Sequence, residues 1–494
     1  MKPIFSKKAF FLLAILFLAA RIISMCLSSV ADPSEARYAA IGRNMAETGN
    51  FLVPEFVHEG VRQPFEGKPP LFFQMSGIAC KIFGTTEFAV RLPALLSAIL
   101  ILAIVFYATR RLRDESTAIL ATILCMFTGV FAVFSGLCMT DLLLAAAVTG
   151  AIYSYSLFAS EQPGRTKSLF SICFFGFLGI GMIVKGPVAL VMAGMPVFCF
   201  VLIGNRWKEL RYHSWFWGTV VFLAIAAPWY YLMTQKQPDF LEYFFINENF
   251  KRFLFKEYGD RYGQGRESFR GMALIWTILC TLPFNLFAIA PALQKKNWPR
   301  FFSWGLLKTP LLGLSILTII TNTAFWCLTS RVLITYLFPV MPAAAIYLAC
   351  LFQDTQCLEN PRFTRLLKRT TYIFAIVLAA GFISASFLGD TFKDELPGNF
   401  FKQLRAPEIL QGRQLYFLRH TPYSAEFYFG RNAVQNHPSE SIADSWKNSR
   451  DAILVFSDYY EEDVAPLLQQ APRKLLLKYK KWSAYAPVDS PNTP

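Results

Sequence analysis

The sequence predicts an α-helical membrane protein with about eleven transmembrane helices, followed by a small soluble α/β domain. Composition is the first reason, because only 16% of the 494 residues are charged and 54% are hydrophobic, including 49 phenylalanines. Soluble domains have about 25% charged residues. The second reason is that the apolar residues occur in blocks of about 20, the length that crosses the hydrocarbon core. The same composition excludes a disordered chain.

Each apolar block is interpreted as one transmembrane span. The first block follows Lys2, Lys7 and Lys8, a pattern that signal peptides share. Because this block is long and lacks a clear cleavage site, we interpret it as a retained helix. The predicted spans cover residues 10–30, 92–107, 118–138, 142–159, 169–184, 188–204, 214–233, 272–293, 311–329, 332–352 and 372–388.

Lysine and arginine are concentrated in alternate short connections between the spans, for example at Arg110, Arg111 and Arg113. This asymmetry predicts a cytoplasmic N-terminus. An odd number of spans then places the C-terminus outside. The net charge of +15 is distributed along the edges of the membrane spans and does not form a basic domain. Nucleic acid is therefore not expected as a partner, and membrane lipids are.

The sequence predicts a membrane domain at 1–388, with long outside loops at 31–83 and 234–270, and a soluble domain at 389–494. Strand-like stretches in the soluble domain occur at 414–418, 452–457 and 474–479. The ten cysteines are scattered without metal-type spacing. The chain contains no Walker A sequence and no dinucleotide fingerprint, which argues against ATP-driven pumping.

The first outside loop is far longer than a connection needs to be, and such loops are usually functional or disordered. Its pattern predicts a helix that Ser34 could cap, and a second short helix follows around 71–83. The apolar positions of the first of these helices are Tyr38, Ile41 and Met45.

Three carboxylates are expected near the outer face of the membrane. Asp32 and Glu35 follow the first span, where helix capping is the alternative explanation. Asp141 borders two apolar segments, and Lys185 interrupts apolar sequence on the same side. A charge at the bilayer centre costs about 2.5–3.5 kcal/mol, so charges in or beside spans indicate function.

Basic residues in the outside loops run against the positive-inside trend. An anionic ligand would explain them, since arginine binds phosphate through bidentate hydrogen bonds. Attraction to anionic lipid headgroups is the alternative. Glu66 and Lys68, in the first loop, could also be an ordinary surface pair. The basic residues of the second loop are Lys236, Lys251, Arg252, Lys256, Arg261, Arg266 and Arg270.

Several short motifs together resemble one family, the bacterial 4-amino-4-deoxy-L-arabinose lipid A transferases of the protein O-mannosyltransferase-related group. These are membrane glycosyltransferases of the C-type fold. The resemblance covers about residues 1–350. The matching motifs are EARYA at 35–39, GNFLVP at 49–54, FEGKP at 65–69, TD at 140–141, KG at 185–186, PDF at 238–240, YFF at 243–245, Glu248, RF at 252–253 and LITYLFP at 333–339.

The resemblance implies a glycosyltransferase in the bacterial inner membrane whose active site faces the periplasm. It implies a polyprenyl-phosphate sugar donor, lipid A or another periplasmic acceptor, and transfer with inversion. A first-loop carboxylate, Asp32 or Glu35, would be the base, and Asp141 would support it or orient the acceptor. Lys68, Arg252 and Tyr336 would bind the donor phosphate. The supporting residues would be Arg37, Glu66, Lys185, Glu248 and Arg331.

Three departures from the family pattern bear on these assignments. Ser34-Glu35 stands where the family often has Asp-Glu, so the base is open between Asp32 and Glu35. Gly67 is inserted between Glu66 and Lys68. Asn249 replaces a histidine that similar enzymes can show, which weakens a divalent metal site at Glu66, so no cofactor is assigned. A protein or other glycan transferase and, from another class, a lipid or sugar transporter remain the alternatives.

Overall fold

A computed structural model describes residues 4–487, apart from 59–60, 256–266, 302, 393–396, 411, 419, 431–433, 437–440, 450–451 and 471–472. The chain folds as two compact units, each assembled from separate segments. Unit 1 contains Met1–Ile23, Glu66–Phe72 and Pro93–Phe382, and unit 2 contains Ser24–Phe65, Phe73–Leu92 and Ile383–Pro494. The predicted domain division at residue 388 stays a prediction.

The first half of the chain is helical apart from one hairpin in the first loop. A 3₁₀ turn, Trp207–Tyr212, lies between the last two of its helices. In chain order the elements are α1 (Lys7–Leu27), α2 (Ser34–Thr48), β1 (Glu55–His58), β2 (Val61–Pro64), α3 (Leu71–Phe83), α4 (Glu87–Leu112), α5 (Glu115–Met126), α6 (Gly129–Phe134), α7 (Asp141–Ser160), α8 (Arg165–Lys185), α9 (Val188–Gly204) and α10 (Trp215–Lys236).

The second half begins with a π-helix, Glu242–Lys251, and also contains 3₁₀ turns at Phe284–Ala288, Lys295–Asn297, Ile334–Leu337, Cys357–Glu359 and Asp458–Tyr460. Its α-helices before the C-terminal sheet domain are α11 (Arg252–Leu254), α12 (Met272–Cys280), α13 (Ile289–Ala292), α14 (Trp298–Phe301), α15 (Trp304–Leu307), α16 (Pro310–Cys327), α17 (Val340–Asp354) and α18 (Pro361–Phe392).

The C-terminal part alternates helices and strands. Its elements are α19 (Gly398–Leu404), α20 (Pro407–Leu410), β3 (Leu415–Phe417), α21 (Tyr423–Phe429), β4 (Val434–Asn436), α22 (Ile442–Asn448), β5 (Ile453–Ser457), α23 (Glu461–Gln470), β6 (Arg473–Tyr479) and β7 (Trp482–Pro487).

Seven helices among the described residues are long and apolar enough to cross a membrane, or eight if a bent pair counts as one span. The chain is thus a multi-span membrane protein. All eleven apolar blocks contain helix, but the number of about eleven spans is not confirmed. The reason is that α5, α9 and α17 are shorter apolar helices, and the block at 272–293 bends by 89° after Cys280.

Helix α7 forms the centre of unit 1, and almost all of its residues are buried. It packs against α8, α9 and α16. Small side chains such as Ala145, Ala146 and Ala147 let these helices approach closely, as is common where helices associate in a membrane. The rigid centre positions the two ends of α7 and α8, where Asp141 and Lys185 lie.

In unit 2 the first loop is folded as predicted, into the helix α2 and the short helix α3. The predicted cap is wrong: Pro33 occupies the N-cap position, and no side chain caps the helix there. Ser34 is already the first helical residue. Instead, the Glu35 carboxylate reaches back and accepts a hydrogen bond of 2.9 Å from the Ala31 backbone N–H. Ala31 lies two residues before the N-cap Pro33, so this hydrogen bond connects the preceding chain to the first turn of α2.

The C-terminal strands form a five-stranded mixed sheet in the order β4-β3-β5-β7-β6. β3 is parallel to β4 and β5, whereas β7 is antiparallel to β5 and β6. The predicted strands at 414–418, 452–457 and 474–479 are confirmed as β3, β5 and β6. The core under the sheet consists of Tyr416, Leu418, Trp446, Ala452, Leu454, Phe456 and Val464.

A close approach of α2 and α3 gives the first prediction. A Cβ added at Gly42 would lie 2.7 Å from Ser76 Cβ, so Gly42→Val overpacks this contact. We expect a loss of about 1–3 kcal/mol of stability, measured by thermal unfolding in detergent. Gly194→Ala is the control because nothing lies within 4 Å of the added Cβ. An unchanged melting temperature for Gly42→Val would contradict the packing.

Candidate active site

A cavity of about 480 Å³ in unit 1 contains most of the basic residues that the motifs single out. Its wall combines charged groups with aromatic and aliphatic side chains. The predicted site residues that line it are Lys68, Lys185, Glu248, Arg252, Arg331 and Tyr336. The remaining wall is Gly67, Pro187, Val188, Val191, Phe245, Asn249, Phe250, Phe253, Leu254, Phe325, Trp326 and Thr329.

Lys68 enters the cavity from the segment between β2 and α3. Its side chain is half-buried, and no ion pair or hydrogen bond joins its ammonium to the residues that the structure describes. Burial and the neighbouring Lys185 lower the pKa of Lys68. Both effects disfavour the charged form, and an anion beside the ammonium would reverse them.

Lys185 ends α8 and forms an ion pair of 2.6 Å with Asp141, which begins α7. Its ammonium also lies 4.3 Å from the centre of the Tyr336 ring, a favourable cation–π distance. The next residue, Gly186, has a φ of 81°, and a Cβ there would lie 2.6 Å from the Phe244 ring. The Lys-Gly motif therefore combines a cation with a backbone turn that favours glycine.

The π-helix and α11 supply the far wall. Glu248 and Arg252 form an ion pair, and Arg331 pairs with Glu267 at 3.9 Å. π-helical turns are rare and occur frequently at functional sites. Of the other basic residues in the second loop, Lys256, Arg261 and Arg266 lie outside the described residues. Arg270 is exposed.

Asn249 and Glu66 are the positions at which a metal site was considered. Its amide Nδ2 donates a hydrogen bond of 2.7 Å to the Phe244 carbonyl oxygen, so this side chain serves the π-helix. Glu66 is buried. Among the described residues no group of three or more histidine, cysteine, aspartate or glutamate side chains could hold a metal ion. The described residues therefore do not fit a metal site.

The candidate bases lie in unit 2, in two different environments. Glu35 is buried, and its carboxylate accepts hydrogen bonds of 2.8 Å and 3.2 Å from Nε and Nη2 of Arg91. Asp32 is half-buried, and its Oδ1 accepts a hydrogen bond of 3.1 Å from the Ser424 backbone N–H. Burial, together with the nearby Glu35, raises the pKa of Asp32 to about 6, although the hydrogen bonds oppose this shift.

Arg37 packs its guanidinium against aromatic rings of unit 2. It lies 5.3 Å from the Phe65 ring centre and 5.5 Å from that of Tyr423. These contacts stabilise the planar side chain and make it one wall of the folded loop.

Two residues were missed by sequence reasoning. Arg91 directly precedes the predicted span at 92–107 and resembles an ordinary flanking charge, yet its side chain is buried. Trp326 lies within an apolar block, but it lines the cavity and packs 4.5 Å from the Tyr336 ring. Its buried indole Nε1 has no hydrogen-bond partner among the described residues. The only sequence signal for these two residues was the position of Arg91 beside an apolar block.

Comparison with known proteins reveals similar chains. A family profile described as dolichyl-phosphate-mannose-protein mannosyltransferase matches residues 7–244. An undecaprenyl phosphate-alpha-4-amino-4-deoxy-L-arabinose arabinosyl transferase from Edwardsiella ictaluri is 31% identical over 248 residues, covering 49% of this chain and 43% of the relative. The enzyme of that name from Yersinia enterocolitica is 28% identical over 392 residues, covering 76% and 63%. The chain therefore spans less than two thirds of the length of either relative.

The fold is also found among solved structures. ArnT from Cupriavidus metallidurans, crystallised bound to undecaprenyl phosphate, superimposes with a TM-score of 0.75 at 19% identity, covering 98% of this chain and 99% of that one. The chain therefore has the same fold as this ArnT structure, as the sequence predicts. The resemblance inferred from the motifs is confirmed by the relatives.

The buried pair of Glu35 and Arg91 gives the second prediction. Arg91→Met leaves a buried carboxylate without its cation, and we expect a loss of about 3–5 kcal/mol of unfolding free energy. The double variant Glu35→Leu/Arg91→Met should recover part of that loss, because no charge stays buried but the backbone oxygens of Met25, Ser28 and Ser29 still lack their donor. Arg111→Met is the control, since Arg111 is the exposed member of an ion pair with Glu161. Equal losses in the single and double variants would argue against the pair.

Proposed function

Because this chain resembles the undecaprenyl-phosphate-dependent arabinosyl transferases and shares the fold of one of them, we propose that it is a membrane glycosyltransferase. It moves a sugar, an aminosugar such as 4-amino-4-deoxy-L-arabinose, from polyprenyl phosphate to lipid A at the periplasmic face of the inner membrane. The observation that carries the proposal is the cavity, in which the ammonium of Lys68 lies among further cations and an apolar wall.

The charge of the cavity suits a lipid phosphate. Four cations line it, and their carboxylate neighbours Asp141, Glu248 and Glu267 leave one positive charge in excess among the described residues. Lys68 and Arg252 would hold the phosphate through charge-assisted hydrogen bonds, and Tyr336 would donate a third. The aromatic and aliphatic wall would hold the first isoprene units.

The reaction is a displacement at the anomeric carbon. An acceptor oxygen attacks that carbon from the face opposite the lipid phosphate, the carbon–oxygen bond to the phosphate breaks, and the configuration inverts. A carboxylate takes the proton of the acceptor and acts as the general base. The cations of the cavity stabilise the negative charge that develops on the leaving phosphate.

We propose Asp32 as the base and Glu35 as a positioning residue. Both carboxylate oxygens of Glu35 accept hydrogen bonds from the buried Arg91, so this carboxylate is already engaged in an ion pair. Asp32 has a raised pKa of about 6, close to the value suited to a base at neutral pH. Asp141 would hold the Lys185 side chain in the cavity and thereby orient its ammonium.

The family profile supports a second candidate acceptor, a protein. The profile that matches residues 7–244 is described by protein mannosylation, which favours a protein acceptor as the alternative. The similarity to named transferases supports transfer over transport. Mass spectrometry of lipid A and of periplasmic proteins, with and without the chain, distinguishes the two acceptors. An unchanged lipid A profile would move the proposal to protein.

The cavity gives the third prediction. Arg252→Gln should lower kcat/KM for the polyprenyl-phosphate donor by about 10²–10³-fold, because a charge-stabilising donor is lost at the leaving phosphate. The measurement is transfer to lipid A by purified protein in detergent. Arg300→Gln, an exposed arginine of the same unit, should match the unaltered protein. Equal rates for Arg252→Gln would exclude this phosphate site.

Asp32 gives the fourth prediction. With the base protonated below its pKa of about 6, kcat/KM should fall about tenfold per pH unit below that value and level off above it. Asp32→Asn should lower the rate by about 10²–10⁴-fold and remove this dependence. Glu35→Gln protein that folds should keep the acidic limb. An active Asp32→Asn variant with the same limb would assign the base elsewhere.

A further inference from the structure

The short helix α21 of the C-terminal domain contacts the loop that carries the candidate base. The Ser424 N–H donates to Asp32 Oδ1 at 3.1 Å. Four residues along, the hydroxyl of Tyr428 accepts a hydrogen bond of 3.2 Å from the Val30 N–H. Two hydrogen bonds thus fix the chain on both sides of Ala31, at the entry to the first loop.

Glu426 is the central residue of this contact. Its side chain is 3% exposed. One carboxylate oxygen accepts a hydrogen bond of 2.6 Å from Asn44 Nδ2 in α2, and the other accepts one of 3.2 Å from the Val57 N–H in β1. A buried carboxylate that has two donors on two separate elements fixes the distance between those elements.

A third contact follows at the end of α21. Arg43 of α2 donates a hydrogen bond of 2.6 Å to the Phe427 carbonyl oxygen. Gly430, which has a φ of 78°, turns the chain away directly afterwards, and a Cβ there would lie 2.7 Å from Arg43 Nη2. Side-chain bulk at residue 430 would therefore displace the arginine.

The C-terminal domain itself holds α21 in place. Phe427 is fully buried, and Phe429 packs edge-on against Phe401 at 6.0 Å between ring centres. Phe401 in turn lies 5.7 Å from Phe417 of β3. An apolar chain of contacts thus connects the sheet to α21, and polar contacts connect α21 to the first loop.

We propose that α21 positions the catalytic loop, with Glu426 as the positioning residue, so that the C-terminal domain is a scaffold for the base. The proposal deepens the proposed function and rests on it, since Asp32 has a role only if the chain transfers sugars. The acidic side chain of Glu426 and the Ser424 N–H are both engaged inside the protein, as a scaffold requires.

The kinetic test uses the full-length protein with an undecaprenyl-phosphate sugar and lipid A. Glu426→Ala should lower kcat by about 10²-fold, because a shift of about 1 Å at a reacting group has that effect. The KM for the donor should change by less than about twofold. Glu461→Gln, an exposed ion-paired carboxylate of the same domain, is the matched control and should leave both constants unchanged.

A reversed pair separates positioning from general destabilisation. In Asn44→Asp/Glu426→Gln the new amide donates to the new carboxylate and its oxygen still accepts from Val57 N–H. The hydrogen bond that Asn44 donates to the Glu55 carbonyl oxygen is lost, so kcat should return partway to the unaltered value. Neither single variant, Asn44→Asp nor Glu426→Gln, should show this gain in kcat. A kcat for Glu426→Ala equal to that of the unaltered protein, or a loss that appears only as a raised donor KM, overturns the proposal.

Amide hydrogen exchange keeps this inference separate from the proposed function. Residues 30–58 should exchange faster in Glu426→Ala than in Glu461→Gln, in the absence of any substrate. If the unaltered protein transfers no sugar, the proposed function fails, and exchange alone still decides whether α21 holds the loop. Unchanged exchange in that region overturns the scaffold role.

Discussion

The buried ion pair between Glu35 and Arg91 is the interaction on which the first loop depends. Arg91 also donates hydrogen bonds to the backbone oxygens of Met25, Ser28 and Ser29. These oxygens lie at the end of α1, where carbonyl groups lack intrahelical partners. One guanidinium thus connects the end of α1 to Glu35 in the first turn of α2. Its burial is tolerated because every face of the fork has an acceptor.

Much of the fold could be predicted from the sequence because apolar blocks report directly on the solvent around them. The blocks located the helices, and alternation located three of the five C-terminal strands. Helix length could not be predicted in the same way. The block at 272–293 is apolar throughout, yet its helix bends by 89° near Cys280. Hydrophobicity alone does not predict such a bend, because the residues on both sides of it are apolar.

The candidate site could likewise be predicted only in part from the sequence. The resemblance of the motifs to a known family predicted Lys68, Arg252 and Tyr336 as site residues, and all three line one cavity. Their roles stay predictions. Arg91 and Glu426 could not be named. Their partners are 56 and 382 residues away in the sequence, and no local pattern encodes such a contact. Choosing between Asp32 and Glu35 likewise needed the burial and the partners of each carboxylate.

The ammonium of Lys68, which has no ion-pair partner among the described residues, has a consequence for turnover in the proposed reaction. In the donor the phosphate is a diester with a single negative charge, whereas the released lipid monoester carries nearly two, because its second pKa is about 6. A cavity with excess positive charge binds the second species more tightly than the first. In the proposed reaction, the cations that assist bond breaking would thus also retain the spent lipid and slow its departure.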